Sequence, residues 1–185
     1  LNRLCQADGI PLVNVVRRNE QADLLRAAGA EHVVESSAGS FADDLTAAIT
    51  ATGATLAFDA IGGGEQVDTL LASMEKASSA GQAFSRYGSD THKQVYIYGG
   101  LDRSATTLRR TYGMSWGVGG WLLTPFLGRV GFERMAELQA RVAAEITTTF
   151  ASGYADTISL DDMLDPVVAK AYSAQATGEK RLVTP

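Results

Sequence analysis

Short apolar runs alternate with stretches of helical periodicity, and a glycine closes most of the helical stretches. Leu12–Val16 is an apolar, β-branched run ended by Arg17-Arg18-Asn19. Glu20–Ala28 carries Leu24 and Leu25 at helical spacing and stops at Gly29. His32–Val34 is a second short strand. Ser40 then reads as a helix N-cap with Asp43 in a capping box, Phe41, Leu45 and Ile49 as the apolar face, and Gly53 as the stop. Thr55–Phe58 is a third strand and Asp59–Gly64 the turn that follows it. Glu65–Ala77 is a helix through Val67, Leu70, Leu71 and Met74, and Ser78–His92 is a polar loop. Gln94–Tyr98 is a fourth strand broken by Gly99-Gly100. Strands that alternate with helices in this way cannot pair as hairpins. They predict an α/β fold, a doubly wound parallel sheet with helices on both faces.

The two ends differ from this pattern. Leu1, Leu4 and Cys5 already show helical spacing, closed by Gly9, with no Met and no basic leader before them. A start inside a helix predicts a chain cut from a longer one. After Gly100, Met114–Leu127 is rich in glycine and aromatics. Phe132, Met135, Leu138, Val142, Ile146 and Phe150 then mark one long amphipathic helix, Tyr154–Ser159 a strand, Leu160–Ala176 a helix and Lys180–Thr184 a last strand. This second block is expected to belong to another domain beginning near residue 123.

Composition excludes some partners. The net charge is −5, which argues against nucleic acid, since phosphate contacts need clustered Lys and Arg. The apolar stretch Trp121–Leu127 is far short of the roughly 20 residues that cross a bilayer. A single cysteine, Cys5, makes an internal disulfide impossible and favours a reducing compartment, the cytoplasm. His32 and His92 sit in no metal-ligand spacing and read as structural or solvated, so no metal site is expected within the chain. Asp43-Asp44 and Asp161-Asp162 read as helix N-terminal charges. No catalytic residue stands out.

Three places could carry chemistry. In doubly wound folds, ligands lie at the carboxyl ends of the strands. The residue ending the second strand of a dinucleotide-binding unit faces the adenosine ribose. An acid there suits the 2′-OH of NAD, whereas an Arg pairs with the 2′-phosphate of NADP. Arg17-Arg18 stands at such an end, though two solvated arginines on a turn explain it equally well. The phosphate-binding glycine loop lies about 20 residues before this position, which falls upstream of Leu1. Asp59–Gly64 and Tyr98–Leu101 place glycines directly after two strands, where backbone can approach a ligand or simply turn. Met114–Trp121, finally, could line a flat-ring pocket or form a subunit contact; repeated glycine weakens a plain core reading.

Taken in order, Asn14-Val15-Val16-Arg17-Arg18, Gly29-Ala30-Glu31-His32-Val33-Val34, Phe58-Asp59-Ala60-Ile61-Gly62-Gly63 and Tyr96-Ile97-Tyr98-Gly99-Gly100-Leu101 resemble the medium-chain dehydrogenase/reductase superfamily, especially its quinone reductase and enoyl reductase branches. Gly178-Glu179-Lys180-Arg181-Leu182-Val183 is similar to the family's closing strand. The resemblance implies a partial Rossmann-type dinucleotide-binding domain over 1–122, lacking its first strand and glycine loop, and the C-terminal segment of the catalytic domain over 123–185. It implies NADPH as cofactor, a homodimer, and hydride transfer to a quinone or α,β-unsaturated carbonyl by the complete protein, with the fragment alone inactive. It carries cofactor contacts to Arg17 and Arg18 at the 2′-phosphate, and to Ala60, Ile61, Gly62, Tyr98, Gly99, Gly100 and Leu101. A zinc-dependent alcohol dehydrogenase and a non-catalytic dimerisation or regulatory fragment are the alternatives.

Overall fold

A computed structural model describes residues 1–151, 153–173 and 180–185. The chain divides into two compact units, Leu1–Gln139 and Ala140–Pro185.

The first unit opens with helix α1 (Asn2–Ala7), which Gly9 closes at φ 64°. Strand β1 (Val13–Val16) leads into helix α2 (Asn19–Ala27), and Gly29 stops that helix at φ 79°. Strand β2 (His32–Glu35) pairs in parallel with β1, Val13 opposite His32 and Val16 opposite Glu35. Helix α3 (Phe41–Thr52) buries Leu45, Ala48 and Ile49, as the periodicity requires, and ends on Gly53 at φ 66°. Strand β3 (Leu56–Asp59) runs into a three-residue strand β4 (Gly62–Gly64). Helix α4 (Gln66–Ser79) packs along α3 and buries Val67, Leu70, Leu71 and Met74.

Strand β5 (Lys93–Ile97) lies parallel between β3 and strand β7 (Trp116–Gly120), while strand β6 (Asp102–Thr106) pairs with β4. The core gathers Val34, Leu45, Ile49, Leu71, Met74, Val95 and the fully buried Tyr112 between α3, α4 and one face of the strands. The ladders form three pieces in this unit, β2-β1, β3-β5-β7 and β4-β6, the last following β3 and β5 in the chain. Every pair is parallel, so the α/β doubly wound class holds.

Helix α5 (Leu123–Ala144) follows, kinked at Gly131, whose φ 83° and ψ 170° are not helical. In the second unit strand β8 (Asp156–Ser159) pairs in parallel with strand β9 (Arg181–Thr184). A 3₁₀ turn (Asp162–Leu164) and helix α6 (Pro166–Ser173) lie between them.

Several local expectations need correction. Ser40 makes no capping bond with its hydroxyl; that hydroxyl donates to Asp44 Oδ2 at 2.6 Å, while Asp43 receives Lys76 Nζ at 3.2 Å. Asp59–Gly64 is not only a turn, because Gly62–Gly64 forms a ladder with a strand the sequence pattern does not mark. Met114–Leu127 holds an edge strand and the start of a helix. The long helix expected from Phe132 to Phe150 ends at Ala144 and buries none of its residues. Leu160–Ala176 breaks at Asp165, which precedes Pro166; residues 174–179, with Gly178 and Glu179 of the closing motif, lie outside the described residues.

Candidate functional site

The carboxyl ends of β1, β3, β5 and β7 carry most of the candidate residues, and two clefts open there. The first, of about 430 Å³, lies between β1 and β3 and is lined by Arg17, Ser36, Asp59, Ala60, Ile61 and Tyr98 among others. The second, of about 540 Å³, opens at the ends of β5 and β7 against Tyr98, Gly99, Gly100, Gly120, Trp121 and Arg129. Tyr98 borders both. Gly62, Arg18 and Leu101 line neither: Gly62 is held within β4, and Arg18 and Leu101 are exposed.

Arg17 follows β1 directly. Its N–H and that of Arg18 donate to Gln21 Oε1 at 3.1 and 3.2 Å, which ties the strand end to the first turn of α2. Ser37 Oγ donates to Arg17 O at 2.8 Å and so braces the same turn from the end of β2. The backbone is thus fixed, whereas among the described residues neither guanidinium has an ion-pair partner. A cation left free beside a cleft is available to an anion.

Asp59 organises the next turn. Its carboxylate is almost fully buried and accepts from Ile61 N at 2.9 Å and Gly62 N at 2.9 Å. The two glycine turns then lock together. Tyr98 N donates to Asp59 O at 2.9 Å and Asp102 N to Ile61 O at 2.9 Å. A Cβ built on Gly99 would stand 2.5 Å from Ala60 O, and one on Gly62, at φ 85°, 2.9 Å from Gly99 O. Glycine at these positions is therefore required by turn-on-turn contact. Gly100 differs, for a Cβ there would meet nothing within 4 Å, and Gly120 is alike. These two present bare backbone to the second cleft, a cradle that side chains would fill. Asp102 caps the far side; the Ser104 N–H, 2.8 Å from Oδ1, together with the Ser104 hydroxyl holds that carboxyl below its usual range.

The Gly/aromatic segment divides between the pocket role weighed from the sequence and the core role judged weaker. Trp116 packs edge-on to Tyr112 at 5.0 Å and donates Nε1–H to Gly113 O at 3.1 Å, so it is structural. Trp121 lies at the strand end, edge-on to Phe58 at 6.2 Å, and lines the second cleft. Arg129, Ser37 and Gln21 were not singled out from the sequence. Gln21 and Ser37 follow closely on a strand end and Arg129 lies in the second turn of α5, positions that many surface residues share.

The opposite end of the sheet is closed. Lys93, at the amino end of β5, is fully buried and paired with Glu75 of α4; Ser89 joins both, its N–H 2.8 Å from Glu75 Oε1 and its hydroxyl 2.7 Å from Oε2. Burial pushes the Glu75 carboxyl up, but Lys93 and the Ser79 and Ser89 hydrogen bonds outweigh it and hold it at about 2.

No protein-family model and no curated protein matches the chain. Solved structures do match in fold. A candidate NADPH:quinone reductase from Mesorhizobium loti superposes at TM-score 0.73 with 22% identity, over 99% of this chain and 48% of its own. A candidate NADPH:quinone reductase from Bacillus thuringiensis superposes at 0.66 with 16% identity, over 98% and 50%. A mutant enoyl thioester reductase from Candida tropicalis superposes at 0.64 with 15% identity, over 100% and 50%. The chain has the fold found in these reductases and spans about half the length of each.

Proposed function

We propose that the chain is the C-terminal part of an NADPH-dependent oxidoreductase that transfers hydride to a quinone or α,β-unsaturated carbonyl. In this reading 1–122 is a partial dinucleotide-binding domain and 123–185 a returning segment of the catalytic domain. The single observation that carries it is the unpaired Arg17 guanidinium on a cleft shared with Ala60, Ile61 and Tyr98 at the carboxyl end of a parallel sheet. The fold neighbours support it: they are named as NADPH:quinone and enoyl reductases, and one solved neighbour is a complex with NADP and crotonyl-CoA. They favour neither the zinc-dependent alcohol dehydrogenase nor the non-catalytic fragment.

The residues present fit the cofactor's adenosine side. Arg17, with Arg18 beside it, would pair with the 2′-phosphate. The Asp59-anchored turn offers Ala60, Ile61 and Gly62, and the second turn offers Tyr98, Gly99, Gly100 and Leu101, of which Gly100 has open backbone that admits close approach. The nicotinamide, when bound, supplies the hydride. The pyrophosphate needs a glycine loop at a helix N-terminus, which these residues do not contain, so the 185 residues alone are expected to be inactive. A homodimer in the cytoplasm completes the reading; one fold neighbour, an enoyl thioester reductase, is itself a heterodimer.

The test is cofactor preference. In the full-length polypeptide, Arg17→Asp with Arg18→Ser lowers the NADPH-over-NADH ratio of kcat/KM by about 10- to 100-fold, the worth of one or two charge-assisted hydrogen bonds. An unchanged ratio overturns the assignment.

A further inference from the structure

The buried Lys93–Glu75 pair seals the amino end of β5, and the loops that cover it enclose a cavity of about 790 Å³. One wall comes from residues 82–89, which lead from α4 to β5, and the other from residues 110–114, which lead from β6 to β7. The cavity shares no residue with either cleft at the carboxyl ends. Its two walls are fixed to each other. Met114 N donates to Tyr87 O at 3.0 Å, and a Cβ on Gly88 would stand 2.6 Å from Gly113 Cα.

The lining is cationic in a chain whose net charge is −5. Arg86 stands on one wall and Arg110 on the other, and among the described residues neither has an ion-pair partner. Glu75 is the one carboxylate in the lining, and its oxygens are already engaged by Lys93, Ser79 and Ser89. The Arg86 guanidinium sits over the Tyr87 ring, 5.1 Å from its centroid, which steadies it and leaves its N–H groups free. Phe84 and Met114 line the same cavity and are almost wholly exposed. The backbone adds an independent sign. Arg110 has φ 60°, whereas the nine other positive-φ residues among those described are all glycine. A turn alone would be met by glycine, without the steric strain of a side chain in the left-handed region. What glycine lacks is the guanidinium, and strain of this kind gathers where a side chain has a ligand to meet.

We propose that this cavity is a second ligand site, built for a small phosphate monoester that carries a planar ring. A phosphate dianion offers oxygens to two guanidinium forks, whereas a carboxylate is matched by one. The ring covers the apolar surface that Phe84 and Met114 leave open. Because the cavity shares no residue with the cofactor clefts, failure of the Arg17 test leaves the inference standing.

Phenyl phosphate serves as probe, titrated calorimetrically into the full-length polypeptide without cofactor. The expected result is saturable binding with a Kd on the order of 0.1 mM. Methyl phosphate, which lacks the ring, and benzoate, which lacks the phosphate, bind about tenfold more weakly or less. Arg86→Ser and Arg110→Gly each weaken phenyl phosphate by about tenfold or more, the worth of a charge-assisted hydrogen bond. Arg110→Gly does so without lowering the thermal midpoint of the free protein, since glycine suits φ 60°. Arg17→Asp with Arg18→Ser leaves the affinity unchanged. Absence of saturable binding, equal binding of benzoate or methyl phosphate, or binding that survives Arg110→Gly overturns the proposal. So does loss of binding in the Arg17 and Arg18 variant, which would place the probe in the cofactor cleft. A thermal midpoint lowered by more than about 3 °C in Arg110→Gly also overturns it, because the guanidinium would then serve the fold.

Discussion

The two ends of the parallel sheet are built on opposite terms. At the amino end buried charge serves the fold: Lys93 is buried and satisfied by Glu75, Ser89 and the Thr91 carbonyl, the last at 2.9 Å. At the carboxyl end Asp59 is buried and serves its own turn, while Arg17, Arg18 and Arg129 are exposed and Tyr98 and Leu101 stand in solvent. Charge is buried and paired where α4 returns to the start of β5. The end where ligands bind in doubly wound folds is held by backbone contact between glycine turns, with side chains left free.

That contrast can be broken most severely at Lys93. Lys93→Met strands the Glu75 carboxylate in a buried site and is expected to cost about 3–5 kcal/mol in urea unfolding, with most of it regained in the double variant Lys93→Met/Glu75→Leu. If the single variant loses nothing, the amino end is not the anchor described.

Acid tests the same end with a smaller effect. The Glu75 carboxyl ordinarily titrates near 4.5 and is held at about 2 in the folded chain. A depressed folded value means that its contribution is complete above about pH 4.5 and is lost as pH falls through about 2. The loss is up to about 3 kcal/mol, read as a falling urea midpoint, and Glu75→Gln flattens that profile.

The carboxyl end answers to glycine replacements of about 1–3 kcal/mol or less. Gly99→Ala places a methyl against Ala60 O and should destabilise by that amount, whereas Gly100→Ala should stay within about 0.5 kcal/mol in thermal unfolding. Equal effects at the two positions would erase the distinction between a structural and a free turn glycine.

The legible part of the fold was the part written in apolar periodicity. β1, β2, β3 and β5 are runs with abrupt polar or glycine ends, and α3 and α4 bury the residues their spacing selects. β7 was hidden because glycine is costly in strands unless something must come close. Here a Cβ on Gly117 would lie 2.5 Å from Gln94 Oε1, a neighbour that only the folded sheet reveals. β4 and β6 were hidden for a different reason: three glycines and five exposed residues carry no pattern. In the site, residues directly after a strand could be named in advance, but the pairing of the two turns and the place of Arg129 depend on partners far along the chain.

All ladders among the described residues are parallel, and this governs how the chain reaches its fold. No hairpin offers an early local nucleus. β1 must wait for β2 some nineteen positions on, from Val13 to His32, and β3 must wait for β5, from Leu56 to Gln94. Closing such loops costs entropy before any ladder offsets it, so the nascent chain passes its slowest interval with sticky, unmatched strands. Refolding yield should accordingly fall with protein concentration well before stability does, and chaperone dependence in the cell would be set by topology rather than by any weak residue.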